Sequence, residues 1–371
     1  MAEVEQFKLI GQKLPAEILS QSLLSGKLAG TYLFYGPPGV GKFLLAWECA
    51  KSLLCSNRKD DSLYCNNCQS CAYVDRLLHP DLHLLFPHPA PRKGKEQKES
   101  QEFRDEFRQA KIKEPYQILE YSKPINISRD AIRRLKGELY RKPFLADRKV
   151  VIIDRAESMR IDSVNLLLKI LEEPPGDTTI FLTTSQLDRI LPTVVSRSQK
   201  IRFSPLSPET IQLQLKQRFS TEAEKAAQYA RLAEGSLGNA LNYASGRWEN
   251  ITSTSLELWL AILDQKPEKM GAIIDSLDAE KDRSQVLILL KMWQYLARDA
   301  ALLNQKADSN LVINRIHATQ LSRLAHRFSP GTSFAAFELI DQARLDFYRN
   351  LGIKSLLTGL SLALKEILSP N

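Results

Sequence analysis

The chain has 371 residues, which is too many for one ordinary hydrophobic core and predicts two or three domains. Hydrophobic residues make up 43% and charged residues 25%, as in an ordinary globular protein, and no apolar run reaches the roughly 18 residues that span a bilayer. The net charge of +8 permits a nucleic-acid partner but does not require one, since many basic proteins bind nothing anionic. The chain starts without the basic region and apolar stretch of a signal peptide, so we expect a cytoplasmic protein.

The first elements in chain order are a helix, a strand and a second helix, with a glycine-rich loop before the second helix. Apolar residues recur at helical spacing over 17–25. A β-rich run at 31–35 enters the loop GPPGVGK (36–42), and a helix over 43–54 leaves it. A phosphate-binding loop requires this order of strand, glycine loop and helix, so we predict descent from the phosphate-loop NTPases.

The loop carries most of the groups that hold a nucleotide phosphate. Gly36, Gly39 and Gly41 let successive backbone N–H groups turn toward an anion, and the following helix adds its dipole. Lys42 is predicted to reach the β- and γ-phosphates. The next residue departs from the pattern, because Phe43 stands where a Ser or Thr hydroxyl would ligate magnesium. ATP binding therefore stays an open question from the sequence.

Four of the five cysteines lie close together. Their order is Cys55-x9-Cys65-x2-Cys68-x2-Cys71, and in a cytoplasmic chain such a cluster indicates metal ligands before disulfides. Four thiolates match a tetrahedral zinc ion, and the short spacings let a tight knuckle present neighbouring sulfurs to one ion. The alternatives are thiols without a ligand and an iron–sulfur cluster, although the bacterial ferredoxin run places its fourth cysteine after the triplet. We predict a structural zinc ion.

A strand-like alternation at 79–87 precedes a highly charged segment. Residues 92–113 carry 13 charges in 22 residues and few large apolar groups. This composition favours a solvated loop or a partly helical insertion, with a basic contact to DNA as the alternative.

The following segments alternate between helices and apolar strands. Helices are predicted over 128–141, with Ser128 as the N-cap, and over 161–173, where two prolines end the helix. The runs KVVIID (149–154) and TIFLTTS (179–185) are apolar strands. Strands that alternate with helices in this way indicate a parallel sheet covered on both faces.

The first of these strands ends in Asp154, a candidate magnesium ligand opposite the phosphate loop. A helix cap or a solvated strand end is the alternative for this residue. ATP hydrolysis also needs a carboxylate that orients or activates water, yet the next residue is Arg155, whose guanidinium cannot take a proton from water near neutral pH. Glu157 lies two residues further along and is expected to point elsewhere.

From residue 209 onward the pattern is almost exclusively helical. Two long apolar stripes at three-to-four spacing predict core packing within a helical domain. They comprise Leu289, Trp293, Leu296, Ala300 and Leu303, and Ile353, Leu357, Leu360, Leu364 and Ile367.

Six motifs occur in an order typical of one family. They are GPPGVGK (36–42), CNNCQSC (65–71), HPDLH (79–83), LLKILEEPP (167–175), TVVSRS (193–198) and AEGSLGNAL (233–241). Over about residues 6–245 the chain resembles a bacterial clamp-loader subunit of the AAA+ class. The resemblance implies a RecA-like α/β domain with a parallel sheet, a helical lid, and an all-α collar that joins five subunits into a ring. The implied boundaries are 1–205, with a zinc module at 55–71 and the charged insertion at 92–113, then 206–266 for the lid and 267–371 for the collar.

Two kinds of subunit in this family carry these motifs, an ATP-hydrolysing motor subunit of the gamma/tau kind and a more rigid stator of the delta prime kind. The chain departs from the motor pattern at Phe43, at Arg155, and at Gly238, where the motor subunit has a lid arginine that senses the γ-phosphate. Each departure removes a different part of the machinery for phosphoryl transfer. The chain therefore resembles the delta prime family, with its fold retained and its own catalysis lost.

The retained motif Ser196-Arg197-Ser198 implies a role in a neighbouring site. The arginine of this motif reaches across the subunit interface to the γ-phosphate of a neighbour's ATP, which makes Arg197 a candidate arginine finger in trans; a surface salt bridge is the alternative. The implied partners are the gamma/tau and delta subunits in a hetero-pentameric ring, and through the ring the sliding clamp and primed DNA of the DNA polymerase III holoenzyme. An active ATPase of the motor kind is the alternative function, and a phosphate-loop nucleoside kinase is a third that the SRS and LEEPP motifs argue against.

Overall fold

The structure, a computed structural model, describes residues 7–121, 123–280, 282–306, 312–313, 325, 328–348 and 351–368. The expectations for the first six residues and for the rest of 267–371 lie outside the described residues. The chain divides into two compact units. One extends to Arg218 and includes Ala233–Leu241, and the other comprises Phe219–Leu232 and the chain from Asn242 onward.

The first unit is built on a five-stranded parallel sheet in the order β2-β5-β6-β1-β7, beside a short two-stranded sheet of β3 and β4. The strands are β1 (Thr31–Tyr35), β2 (Leu82–Leu85), β3 (His88–Pro89), β4 (Ile125–Asn126), β5 (Lys149–Ile153), β6 (Thr178–Thr184) and β7 (Gln199–Arg202). Every residue of β5 and β6 is buried, because helices cover both faces of the sheet. The predicted parallel α/β domain is confirmed.

Helices account for most of the rest of the described chain. They are α1 (Lys13–Ser25), α2 (Lys42–Leu54), α3 (Gln69–Asp75), α4 (Glu96–Lys113), α5 (Arg129–Leu139), α6 (Ile161–Glu172), α7 (Pro192–Val195), α8 (Pro208–Phe219), α9 (Ala223–Leu232), α10 (Leu237–Ala244), α11 (Glu249–Leu263), α12 (Pro267–Glu280), α13 (Arg283–Asn304), α14 (Pro330–Tyr348) and α15 (Ile353–Leu368). The predicted cap of α5 is present, since the Ser128 hydroxyl accepts a hydrogen bond from the amide of Ala131 at 3.2 Å.

The charged segment 92–113 is a helix over most of its length. Helix α4 begins at Glu96 and continues to Lys113, so the segment is helical there and not a loop; that it is an insertion stays a prediction. One face of α4 is not solvated, because Phe107 and Lys111 are buried.

The second unit has a core of its own. The indole rings of Trp259 and Trp293 lie 5.5 Å apart, and Phe328 stacks on Trp259 at 6.0 Å. Both predicted apolar stripes face this core. The division of the helical region into a lid at 206–266 and a collar at 267–371 stays a prediction. In the part of the chain that the structure describes, no helix combines the length and apolar content needed to cross a membrane.

Candidate functional site

The phosphate loop and Asp154 lie at the same edge of the sheet. The loop follows β1 and Asp154 follows β5, and the carboxyl ends of parallel strands meet at one edge. Only β6 separates the two strands. The structure therefore brings the predicted phosphate-binding and magnesium-binding groups to one side of the sheet.

The phosphate loop is packed against other parts of its own unit. Gly36 has a φ of 143°, and a Cβ at this position would overlap the carbonyl oxygen of Phe203. The amide of Gly238 donates a hydrogen bond to the carbonyl of Gly39 at 3.0 Å. A side chain at Gly238 would overlap the Tyr116 carbonyl oxygen, so this position accepts only glycine. Gly238 is thus closely packed against the backbone of the phosphate loop and of Tyr116.

Lys42 is buried and folds back onto the loop. Its ammonium donates to the carbonyl of Gly36 at 2.7 Å and to that of Pro37. Burial lowers the pKa of Lys42 to about 8, against the opposing effect of the carboxylates of Asp154 and Glu157. The charged form is therefore held less tightly than in an ordinary surface lysine.

Asp154 is also buried and has protein partners. The Thr183 hydroxyl donates to its carboxylate at 2.6 Å, and the same hydroxyl accepts from the amide of Arg155 at 3.0 Å. The Arg155 side chain turns away to donate to the carbonyl of Leu119 at 3.3 Å. Asp154 is thus not a solvated strand end. The Arg155 guanidinium donates a hydrogen bond to the backbone of its own chain.

Glu157 is hydrogen-bonded at the end of β6. Its carboxylate accepts from the amide and the hydroxyl of Ser185, at 3.2 and 2.8 Å, and its charge acts on Lys42. A short 3₁₀ turn at Ala156–Ser158 carries this side chain to Ser185, the residue that follows β6.

The charged insertion covers the helix that leaves the phosphate loop. The ring of Phe107 meets that of Phe43 edge to face at 5.4 Å. The ammonium of Lys111 lies 5.0 Å above the Phe43 ring and donates to the carbonyl of Gln117 at 2.7 Å. Burial lowers the pKa of Lys111, and the nearby charge of Asp154 opposes that effect. Phe43, which stands where the sequence pattern of an active site has a hydroxyl, is thus packed against a phenylalanine and a lysine.

The four clustered cysteines converge on one point. All four sulfurs lie within 4.8 Å of one another, with neighbours such as Cys55 and Cys65 at 3.5 Å, Cys55 and Cys68 at 3.9 Å, and Cys65 and Cys71 at 4.0 Å. Tetrahedral bonds of about 2.3 Å from sulfur to zinc would place the sulfurs about 3.8 Å apart. The cluster could therefore hold a metal ion.

Backbone geometry supports the cysteine cluster. The amides of Cys65, Cys68 and Cys71 each point at the sulfur of a preceding cysteine, at 3.3 to 3.4 Å. Such N–H donors stabilise thiolate charge. Cys55 follows the last turn of α2 and Cys68 caps α3, so the cluster ties these two helices together.

Arg197 follows α7 and is partly exposed. Its guanidinium forms an ion pair with Glu172 at 2.6 Å and donates to the carbonyl of Thr193 at 3.1 Å. The side chains of Arg197 and Glu172 are 37% and 47% exposed. Both partners lie in α6 and α7 and not in the phosphate loop, so the structure keeps Arg197 apart from the chain's own nucleotide site.

Sequence reasoning missed several side chains that contact the predicted site residues. Lys111, Tyr116 and Glu172 were not singled out, although Phe103, Phe107 and Lys111 recur at four-residue spacing in the charged segment. That spacing places them on one face of a helix and was the available signal. Glu172 belongs to the LEEPP motif, but its contact with Arg197 depends on tertiary structure.

Comparison with known proteins shows the family. A sequence profile described as DNA polymerase III, delta subunit, matches residues 11–207. The DNA polymerase III subunit delta' of Pseudomonas aeruginosa is 35% identical over 169 residues, which is 46% of this chain and 41% of the relative. The subunit delta' of Bacillus subtilis is 30% identical over 196 residues, which is 53% of this chain and 48% of the relative. A DNA polymerase III subunit gamma of Buchnera aphidicola is 25% identical over 291 residues, which is 76% of this chain and 70% of the relative.

The matched part spans less than half the length of the two delta' relatives. The family profile itself covers more than half of this chain and includes the sheet, the phosphate loop, the cysteine cluster and Arg197. The chain therefore belongs to the DNA polymerase III, delta subunit, family.

Proposed function

We propose that the chain is a delta prime-type subunit of the bacterial replicative clamp loader and that its own nucleotide site is inactive. Two of the relatives described above are delta' subunits of DNA polymerase III, which supports this role. The observation that carries the second half is the packing of Phe43 at the position of the magnesium-binding hydroxyl. The Phe43 ring is buried beside Phe107, and the Lys111 ammonium lies 5.0 Å above it.

The site would bind magnesium and ATP poorly because it lacks groups that hold them. Phe43 offers the ion no oxygen ligand. The buried ammonium of Lys111 interacts electrostatically with Asp154, which weakens the attraction of that carboxylate for a cation. Gly238 supplies no guanidinium for a γ-phosphate.

We propose that Arg197 acts on ATP in a neighbouring subunit. Its ion pair with Glu172 is exposed and is worth little, so the guanidinium can exchange a carboxylate for a phosphate at small cost. An arginine finger supplied in trans can raise the rate of phosphoryl transfer by several orders of magnitude. A subunit that is inactive in its own site can therefore still contribute to hydrolysis.

The proposed partners follow from this role. The chain would join gamma/tau and delta subunits in a hetero-pentameric ring of the DNA polymerase III holoenzyme, through the collar proposed at 267–371. The ring would load the sliding clamp onto primed DNA in the bacterial cytoplasm. The helices at 206–266 would form the lid.

We propose zinc as the metal of the cysteine cluster. Four thiolates at nearly tetrahedral spacing suit zinc and leave no open position for a substrate, so the ion would be structural. It would fix the end of α2, the helix that starts at the phosphate loop, against α3.

An active motor subunit is the second candidate, and Glu157 favours it. One oxygen of this carboxylate is buried and, within the described residues, has no hydrogen-bond partner. A carboxylate near Lys42 is the type of group that could activate water. The similarity to a gamma subunit over 291 residues also favours this candidate.

Nucleotide binding and hydrolysis by the full chain distinguish the two candidates. Calorimetric titration with ATP, with and without magnesium, measures binding, and phosphate release measures turnover. We expect no turnover above background from the chain alone, and turnover when motor subunits are added. Turnover on the order of one per second by the pure chain, abolished by Lys42→Ala, would establish the motor candidate instead.

A further inference from the structure

The sheet of the first unit has an uncovered edge at β2. The carbonyls of Asp81 and Leu85 accept from β5, through the amides of Val150 and Asp154 at 2.9 and 2.8 Å. Because backbone groups alternate along a strand, those of Leu84 point away from β5. Among the described residues no strand pairs with this edge. An unpaired edge is a template for another strand.

A cavity of about 620 Å³ runs along this edge, and its volume falls within the range of about 300–1,000 Å³ that binding pockets occupy. We call it the β2 groove. Its floor includes the apolar residues Leu82 and Leu84, and its walls are α4 on one side and α5 on the other. The groove thus offers backbone donors and acceptors at its base and side-chain contacts at both sides.

The groove is positively charged. Four arginines line it, two from the region of each helix, together with the single carboxylate of Glu138. Arg108 pairs with Asp105. Within the described residues Arg104 of α4 and Arg134 of α5 have no ion-pair partner. The two free guanidiniums therefore stand on opposite walls.

A buried polar atom lies beside the same groove. His83 of β2 lines it, and the Nε2 atom of this ring is buried without a hydrogen-bond partner in the described structure. Buried polar atoms are rarely left unsatisfied, and exceptions often mark a missing ligand.

We propose that the β2 groove binds an extended acidic peptide of a partner protein, which adds a strand to the sheet at β2. The strand edge recognises the peptide backbone, and Arg104 and Arg134 bind carboxylates on the two faces of the added strand. Single-stranded nucleic acid fits less well, because it needs free aromatic rings for base stacking. The rings here are already stacked, Phe86 on Phe107 at 4.0 Å and His88 on Phe103 at 5.1 Å.

The test uses the full chain and a fluorescein-labelled peptide that repeats Asp-Asp-Val-Val, which places carboxylates on both faces of the added strand, with fluorescence anisotropy as the readout. We expect saturable binding that weakens with salt and that falls about tenfold or more in the double variant Arg104→Glu/Arg134→Glu. The matched control is Arg129→Glu/Arg133→Glu, which makes the same charge change at exposed positions of α5 that do not line the groove. This control should lose less than about twofold.

A second probe tests strand addition directly. The same peptide with alternate backbone amides N-methylated keeps its charge but cannot form the ladder of hydrogen bonds, so it should bind at least about tenfold more weakly. The proposal is overturned if N-methylation leaves the affinity unchanged, if the two double variants behave alike, or if an oligothymidylate strand binds more tightly with the same dependence on Arg104 and Arg134.

Discussion

At the scale of single residues, Lys42 is the most informative group in the phosphate loop. In an active site this ammonium contacts phosphate, whereas here it donates to Gly36 and Pro37. The ammonium stabilises the partial negative charge of these two carbonyl oxygens, and burial lowers its own pKa. The side chain thus links the start of α2 to the residues that follow β1 through hydrogen bonds.

The pKa of Lys42 leads to a prediction about stability and pH. Between about 8 and the ordinary value of 10.5 the unfolded chain binds a proton at Lys42 that the folded chain lacks, so this residue makes the free energy of unfolding rise with pH across that window. Lys42→Met should remove this part of the slope, on the order of 3 kcal/mol over the whole window. Urea unfolding of both proteins across the window measures it. A difference between them that does not vary with pH would contradict the prediction.

At the scale of elements, α4 supplies two side chains, Phe107 and Lys111, that pack against Phe43. Its packing face meets Phe43, and its other faces are charged and exposed. Removing this face should destabilise the first unit and loosen the cover over the phosphate loop.

Phe107 provides the test of that role. Phe107→Ala should lower the free energy of unfolding by about 3 kcal/mol, because a buried aromatic ring is replaced by a cavity. Chemical denaturation followed by circular dichroism measures the change. Glu102→Ala, at an exposed position of the same helix, is the control and should change it by less than about 0.5 kcal/mol. Equal effects of the two substitutions would mean that α4 does not pack on Phe43.

The cysteine cluster gives a second prediction at this scale. The purified chain should carry one equivalent of zinc. The double variant Cys65→Ser/Cys68→Ser should lose the zinc and unfold at a temperature several degrees lower. Each kcal/mol lost from the free energy of unfolding lowers that temperature by about 2–4 °C in a domain of this size. Metal analysis and calorimetry measure both effects. Cys49→Ala removes a buried thiol outside the cluster and should keep the zinc. Zinc content unchanged in the double variant would exclude these sulfurs as ligands.

The elements that sequence reasoning placed well are those with one strong local signal. The phosphate loop, β1, β5 and α6 are each marked by glycines, an unbroken apolar run or a terminal proline pair. Helix α4 shows the limit, because 13 charges in the segment obscured the spacing of Phe103, Phe107 and Lys111. The electrostatic interaction of Lys111 with Asp154 joins residues distant in the chain, and no local pattern encodes it. The same holds for the hydrogen bonds between Glu157 and Ser185.

At the scale of the whole molecule, the proposed role depends on contributions between subunits. Arg197 shares its ion pair with Glu172 inside the chain, but a guanidinium that is 37% exposed is available to a neighbour. The effect of this residue should therefore appear only in the assembled complex.

Arg197→Ala should leave the free energy of unfolding within about 1 kcal/mol of the original value, because an exposed ion pair contributes little. In a reconstituted clamp-loader complex it should reduce ATP hydrolysis at least a few-fold, with Arg197→Lys rescuing poorly, since an ammonium cannot copy the planar two-pronged contact to phosphate. Glu172→Gln is the matched control: it breaks the same ion pair and keeps the guanidinium. Equal rates of ATP hydrolysis for complexes with Arg197→Ala and with Glu172→Gln, over a range of ATP concentrations, would mean that Arg197 is only a surface residue.

The close packing around Gly36, Gly39 and Gly238 has an evolutionary consequence. Substitution of Gly36 or Gly238 would push a side chain into a backbone carbonyl, so selection for folding alone is enough to retain these glycines. The loop sequence can therefore persist long after a lineage has stopped using ATP at that position. A survey that identifies ATPases by this signature alone would count such chains as active, so the residue after the lysine and the residue after the strand-end aspartate should be compared as well.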